Sequence, residues 1–261
     1  MVAENKPGGG TGVAADYVAK SKNDGYTLMW ATTDTFSVLP SVKKDLPFKV
    51  QDDFEYVATT SRFSSIIAVN AGLPFKTIQE VVAHAKANPG KLRYSSAGVG
   101  GASHLSMALF AKATGIDLVH IPYQGSAQAM TSAIGGHVDL AVAAPSSIKP
   151  HTDAGKLRAL ASVDSARHFQ FPDTPTLKES GIPVVIILYN GVLAPLGTPE
   201  PVIARLRKEL KAIVEDPKVI ERWRAIGYEA SYVEGKEFKD AQAKDLAQYT
   251  DVAKSFGISI D

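Results

Sequence analysis

The sequence predicts an α/β protein built on a parallel sheet, and three observations carry that reading. First, extended and helical runs alternate at 92–97, 103–113, 118–122, 126–134, 138–143, 146–153 and 157–163, a pattern that calls for crossover connections between parallel strands. Second, these strands end in small or polar residues: Ser95-Ser96-Ala97-Gly98, Pro122-Tyr123-Gln124-Gly125-Ser126, Ala144-Pro145-Ser146-Ser147 and Ser162. The carboxyl edge of an open α/β sheet is where ligands bind, so these ends should line one cleft. Third, Arg93 to Ala113 reads as a strand, a glycine turn and an amphipathic helix with Leu105, Ala108 and Leu109 on one face.

The other elements follow in chain order. Lys6 to Gly12 is a glycine turn, followed by a helical run through Ala19 and a strand over Tyr26 to Ala31. Thr32-Thr33-Asp34-Thr35 then clusters small polar groups where the chain should leave a sheet, and Leu39 to Asp53, with two prolines, reads as loop. Phe54 to Thr60 and Ser65 to Val69 are extended. Thr77 begins a helix with Ile78, Val81, Val82 and Ala85 inward, stopped by Asn88-Pro89-Gly90. After the alternating series, 167–183 is an irregular, proline-bearing connection, and Val184 to Ala194 is extended with a break at Tyr189-Asn190-Gly191, read as a hinge crossing. Thr198-Pro199 caps a helix through Val214, and Asp216-Pro217 starts another that ends at Gly227. Tyr228 to Val233 is a short strand, and Glu237 to Phe256 a long amphipathic helix ended by Gly257.

Bulk numbers exclude several classes of function. The 261 residues carry 28 Lys and Arg against 27 Asp and Glu, a net charge of +1, with no long basic run, so nucleic acid is not an expected partner. No apolar run approaches the ~20 residues of a membrane span, so direct membrane insertion is not expected. With no cysteine, disulfides, thiolate metal sites and cysteine nucleophiles are ruled out.

The glycine turn carries the chemistry. Glycines at 98, 100 and 101 open left-handed backbone angles and let successive amides point the same way, and Ser103 stands where an N-cap would. Amides of a first helical turn have no internal partner and lie at the positive end of the helix dipole, so the turn reads as an anion cradle. No Lys or Arg lies between Tyr94 and Phe110, so such a cradle works through amides and hydroxyls. Dinucleotide binding fits poorly: the spacing is G-x-G-x-x-S, and the acid expected to end the next strand would be Asp117, which begins it. The six histidines show no metal-binding spacing, and there is no G-x-S-x-G elbow. His104 reads as a packing residue and Tyr123 and Tyr189 as wall residues. No catalytic residue, metal or cofactor is therefore expected.

A set of segments distributed over the whole chain resembles the Bug family, the solute-binding proteins of bacterial tripartite tricarboxylate transporters. They include Glu4-Asn5-Lys6-Pro7-Gly8, Asp24-Gly25-Tyr26-Thr27-Leu28, Asn88-Pro89-Gly90-Lys91-Leu92, Ser96-Ala97-Gly98-Val99-Gly100 with Ser103-His104-Leu105, Val119-His120-Ile121-Pro122-Tyr123, Gly155-Lys156-Leu157-Arg158 and Leu193-Ala194-Pro195. The resemblance implies a two-domain Venus-flytrap protein of the periplasm. It would bind a small carboxylate (dicarboxylate, tricarboxylate, aromatic acid or amino acid) between domains as a monomer, and pass it to membrane permease subunits or, alternatively, signal to a sensor protein. One domain would join 1–70 to 192–261, and the other would be 71–191. The family holds the ligand carboxylate between two backbone loops, one matching Gly98 to His104. The other lies in a strand, loop and helix that precede the Glu-Asn-Lys-Pro-Gly segment. Because the chain begins just before that segment, this unit and the signal peptide are expected to be missing from it. The family often has Lys where Gln124 stands, which implies a less cationic cleft here.

Taking the strand ends and the resemblance together, the expected ligand-binding residues are Thr32, Thr33, Asp34, Ser96, Ala97, Gly98, Gly100, Gly101, Ala102, Ser103, His104, Tyr123, Gly125, Ser146 and Tyr189. The competing reading is an enzyme that uses the Gly98 to Ser103 turn for a phosphorylated substrate or cofactor.

Overall fold

The computed structural model describes residues 2–6, 8 and 11–260. Pro7, Gly9 and Gly10 of the first glycine turn lie outside the described residues. The chain forms two compact units, Met1–Arg62 with Leu188–Asp261, and Phe63–Ile187. The boundaries expected from the resemblance, after 70 and after 191, fall eight and four residues later than this division, which places residues 63–70 in the second unit and 188–191 in the first.

In the first unit, helix α1 (Gly12–Ala19) leads to β1 (Met29–Thr32), a single π-helical turn (Asp34–Val38), α2 (Leu39–Val42) and β2 (Phe54–Phe63). The chain returns as β8 (Leu188–Pro195), α7 (Glu200–Val214), α8 (Pro217–Ala225), β9 (Glu229–Ala230) and α9 (Gly235–Phe256). The four strands lie in the order β1-β8-β2-β9. Successive side chains of a strand face opposite ways, so Tyr56 joins a core with Phe36, Phe48, Phe54, Leu193 and Phe238, while Val57 joins Val192, Ala194 and Ile203 on the other side. Phe238 of α9 anchors the first core, its ring meeting Phe36 and Tyr56 edge-on at centroid distances of 5.4 and 5.0 Å.

Three expectations change here. Leu39 to Asp53 is not all loop, because the π turn and α2 occupy Asp34 to Val42 with Phe36, Val38 and Leu39 buried. The break expected at Tyr189-Asn190-Gly191 is continuous strand, because each turn-forming residue has a use within the sheet. A Cβ on Gly191 would stand 2.6 Å from Phe238 Cζ, and buried Asn190 donates from Nδ2 to Ser61 Oγ at 2.9 Å. Thr198 does not cap α7; its hydroxyl donates to Pro195 O at 2.7 Å, and Pro199 holds the cap position.

The second unit runs β3 (Ile66–Asn70), α3 (Ile78–Ala87), β4 (Arg93–Ser96), α4 (Ala102–Thr114), β5 (Val119–Pro122), α5 (Ser126–Ile134), β6 (Leu140–Ala143), α6 (Pro145–Asp153) and β7 (Leu157–Ser162). The alternation read from the sequence is present, with ends shifted by one or two residues. Strand order is β5-β4-β6-β3-β7. β4 pairs parallel with β5 and β6, whereas β3 lies antiparallel between β6 and β7. The sheet is therefore mixed and not uniformly parallel. β3 takes a central place because Ile66, Ile67, Ala68 and Val69 are all fully buried, and only an inner strand hides apolar side chains on both faces. α3 opens with a capping box: Thr77 Oγ1 accepts from Glu80 N at 3.2 Å, and the Glu80 carboxylate accepts from Thr77 N at 3.3 Å. α4 is buried from His104 through Ala111, more than one apolar stripe would give, which marks it as a core helix.

Candidate functional site

At the carboxyl ends of β4 and β5 two turns lie side by side. Backbone bonds join them beyond the strands: Tyr123 N donates to Ser96 O at 3.0 Å and Gly125 N to Ala97 O at 3.2 Å. Between them opens a pocket of about 610 Å³ lined by Ala97, Gly98, Val99, Pro122, Tyr123, Gln124, Gly125 and Gln128. No lining residue is charged. α4 and α5 both begin at these turns, so the partnerless amides of two helix starts adjoin the pocket.

The β4–α4 turn is held by side chains from within. Gly98 and Gly100 have φ of 148° and 73°, which lets the chain reverse without strain, whereas Gly101 is extended at φ −78°. Ser103 is the second helical residue; the N-cap is Gly101, one correction to the sequence reading. Ser103 Oγ instead reaches back to accept from Ala97 N at 3.2 Å, which leaves its hydroxyl proton to donate elsewhere. His104 Nδ1 accepts from Gly100 N at 3.0 Å. Gly98 N donates to Ser96 Oγ at 3.2 Å. The amides of Ala97, Gly98 and Gly100 therefore serve the turn itself. The amides of Val99, Gly101, Ser103 and His104 are not among the turn's described hydrogen bonds.

Beneath the turn lies a stack of rings. His104 and His120 are parallel with centroids 3.7 Å apart, and Tyr94 lies beside the pair, 4.9 Å from His120 and 6.3 Å from His104. His120 Nε2 is 2.6 Å from Ser96 Oγ. Burial, followed by the neighbouring His120, lowers the pKa of His104 to about 4. Burial also lowers that of His120 and raises that of Tyr94. All three rings are neutral near pH 7, as the acceptor role of His104 requires.

The sequence matches the family described as "Tripartite tricarboxylate transporter family receptor" over residues 1–258. The chain belongs to this receptor family. A UPF0065 protein of Cupriavidus necator is 32% identical over 259 residues, covering 99% of this chain and 78% of that protein. The solved structure of the periplasmic binding protein BugD is similar at 30% identity and a TM-score of 0.80, covering 98% of this chain and 86% of that one. The R. palustris protein Rpa4515, solved with adipate, is 28% identical with a TM-score of 0.82, covering 95% of this chain and 83% of that one. The Bug-type resemblance is thereby borne out.

In this receptor chain the expected residues divide. Ala97, Gly98, Tyr123 and Gly125 line the pocket; Gly101, Ala102 and Ser103 form the adjoining helix start. Ser96 is only 1% exposed and its hydroxyl also contacts Gly98 O, at 2.9 Å, so it braces the turn. Gly100 and His104 are likewise buried. Tyr123 contributes its ring, while its hydroxyl is bonded to Ser132 Oγ. Ser146, in the first turn of α6, is not a lining residue. Thr32, Thr33, Asp34 and Tyr189 belong to the first unit. Thr33, 1% exposed, accepts from Tyr189 N through Oγ1 at 2.7 Å, so it ties the end of β1 to β8.

Sequence reasoning placed Pro122 and Gln124 among the strand ends of the cleft but missed Val99 and Gln128 in the wall, and His120 beneath it. Val99 is 49% exposed, and an apolar residue between two turn glycines was a usable sign. His120 stands two positions before Pro122 on β5, but which strand β5 pairs with, and hence what its ring meets, is a tertiary fact.

Proposed function

We propose that the protein is an extracytoplasmic solute-binding protein that captures a small carboxylate and presents it to the membrane subunits of a tripartite transporter. One observation carries the reading: an uncharged pocket bordered by two helix starts whose first-turn amides can hold a carboxylate. The adipate bound by a family relative supports a carboxylate over a phosphorylated ligand. In this chain the Val99, Gly101, Ser103 and His104 amides and the Ser103 hydroxyl would meet one carboxylate. Gln124 and Gln128 offer neutral polar groups to the rest of the solute. Gln124 N already donates to Gln128 Oε1 at 3.2 Å, which points to the Gln128 amino group as a donor.

The test is calorimetry with adipate, malate, a sugar phosphate and a nucleotide. Saturable binding of at least one carboxylate, with the phosphorylated compounds inert, is the expected result. Binding of the phosphate compounds alone would overturn it. Delivery to a permease is tested separately, by carboxylate uptake in cells carrying or lacking the gene.

A further inference from the structure

We propose that His104, braced by the stacked ring of His120, is a positioning residue that holds the anion-binding turn in shape only while it is neutral, so that acidification loosens the turn and releases the anion. The inference rests on the proposed carboxylate function for its ligand, but its structural part stands on the turn itself.

The argument begins with the one lone pair that His104 offers the loop. Gly100 N donates to Nδ1 at 3.0 Å, and Gly100 sits at φ 73°, the tip of the reversal. A protonated imidazole carries N–H on both nitrogens and accepts nothing. At that distance two N–H groups would oppose each other, and Gly100 must then move. Because Val99 and Gly101 flank Gly100, its movement displaces two of the amides proposed to hold the anion.

The surroundings oppose the charged ring. His104 is 7% exposed and lies in the first turn of α4, where the dipole is positive. His120 from β5 is stacked on it and Tyr94 from β4 flanks both rings, 6.3 Å from His104; both are neutral near pH 7. β6, which also packs on α4, presents only Leu140, Ala141, Val142 and Ala143. The nearest charged residues on these elements are Lys112, two turns along α4, and the Arg93–Asp139 pair at the opposite end of β4. No carboxylate among the described contacts stabilises a histidinium here, in keeping with the lowered pKa of about 4.

The experiment compares wild type with His104→Asn, in which Oδ1 occupies the place of Nδ1 and accepts at every pH. Affinity for adipate and malate is measured by calorimetry from neutral pH downward, with circular dichroism to confirm the fold. The ligand's own protonation acts on both proteins, so the ratio of their affinities isolates the ring. That ratio should fall about twofold by pH 4, where half the rings are charged, and steepen toward tenfold per pH unit below it. A constant ratio, or wild-type affinity that rises relative to the variant, overturns the proposal. In ligand-free wild type, the Gly100 amide resonance should titrate with the His104 ring, and this needs neither variant nor ligand. If it stays fixed while the ring protonates, the proposal fails whatever binds. If it titrates but no carboxylate binds at any pH, the carboxylate function fails and the positioning role of His104 stands.

Discussion

Three residues shape the β4–α4 turn proposed to hold a carboxylate, and each fails differently when changed. Ser103→Ala removes the acceptor for Ala97 N together with a hydroxyl donor. It should weaken carboxylate binding by about 0.5–1.5 kcal/mol, or up to ~3 if that hydroxyl meets a bare carboxylate. Gly100→Pro should do more, since proline cannot adopt φ 73° and deletes the N–H that His104 accepts. Calorimetry on both variants settles the order; Gly100→Pro binding as wild type does while Ser103→Ala binds nothing would contradict the amide cradle. The folded protein keeps His104 neutral to about pH 4, whereas an unfolded histidine protonates near pH 6.5. The unfolded chain therefore binds more protons between these values. The stability tied to this ring is complete above about pH 6.5 and is lost as pH falls toward 4.

At the scale of elements, local signals and packing each account for a share. Thr77 was legible as a helix start, and its capping box predicts that Thr77→Ala lowers stability by about 0.5–2 kcal/mol in denaturant melts. Gly191 was misread as a break, because the sequence does not reveal that Phe238 of α9 packs against it. Gly191→Ala should cost about 1–3 kcal/mol through overpacking, and an unchanged melting temperature would remove that explanation for the continuous strand. On α9, burial raises the pKa of Asp245 to about 6. A raised carboxyl favours folding while protonated and opposes it once charged, so this penalty grows as pH rises from about 4 to about 6. Asp245→Asn should raise the melting temperature near pH 7, with the gain vanishing below about pH 4.

For the whole molecule, the near-zero net charge and the uncharged pocket make one joint prediction. A carboxylate held by dipoles meets no mobile counter-charge, so its affinity should change less than about threefold between low and moderate salt, well short of a site built from Arg and Lys. Calorimetry in two salt concentrations at one pH checks it. A steep loss with salt would mean that cationic side chains hold the ligand.

The sequence by itself determined the alternating strands and helices of 92–163, the position of the glycine turn, the absence of cationic groups from it and the family. These rest on local periodicity, on backbone freedom at glycine and on residue identity, all of which are written within a few neighbouring positions. Only the tertiary structure decided that β3 runs antiparallel between β6 and β7, that β8 passes unbroken through Asn190 and Gly191, and that His120 stacks under His104. It also decided that Ser96, Gly100 and Thr33 make hydrogen bonds within the chain. Most of these depend on a partner distant in sequence: Ser61 and Phe238 for β8, Tyr189 for Thr33, His120 for Ser96; Gly100 is the exception, bonded to His104 four residues on. A polar residue at a strand end announces that it needs a hydrogen bond, but only the packing of the other elements determines whether a ligand or the chain itself provides the partner.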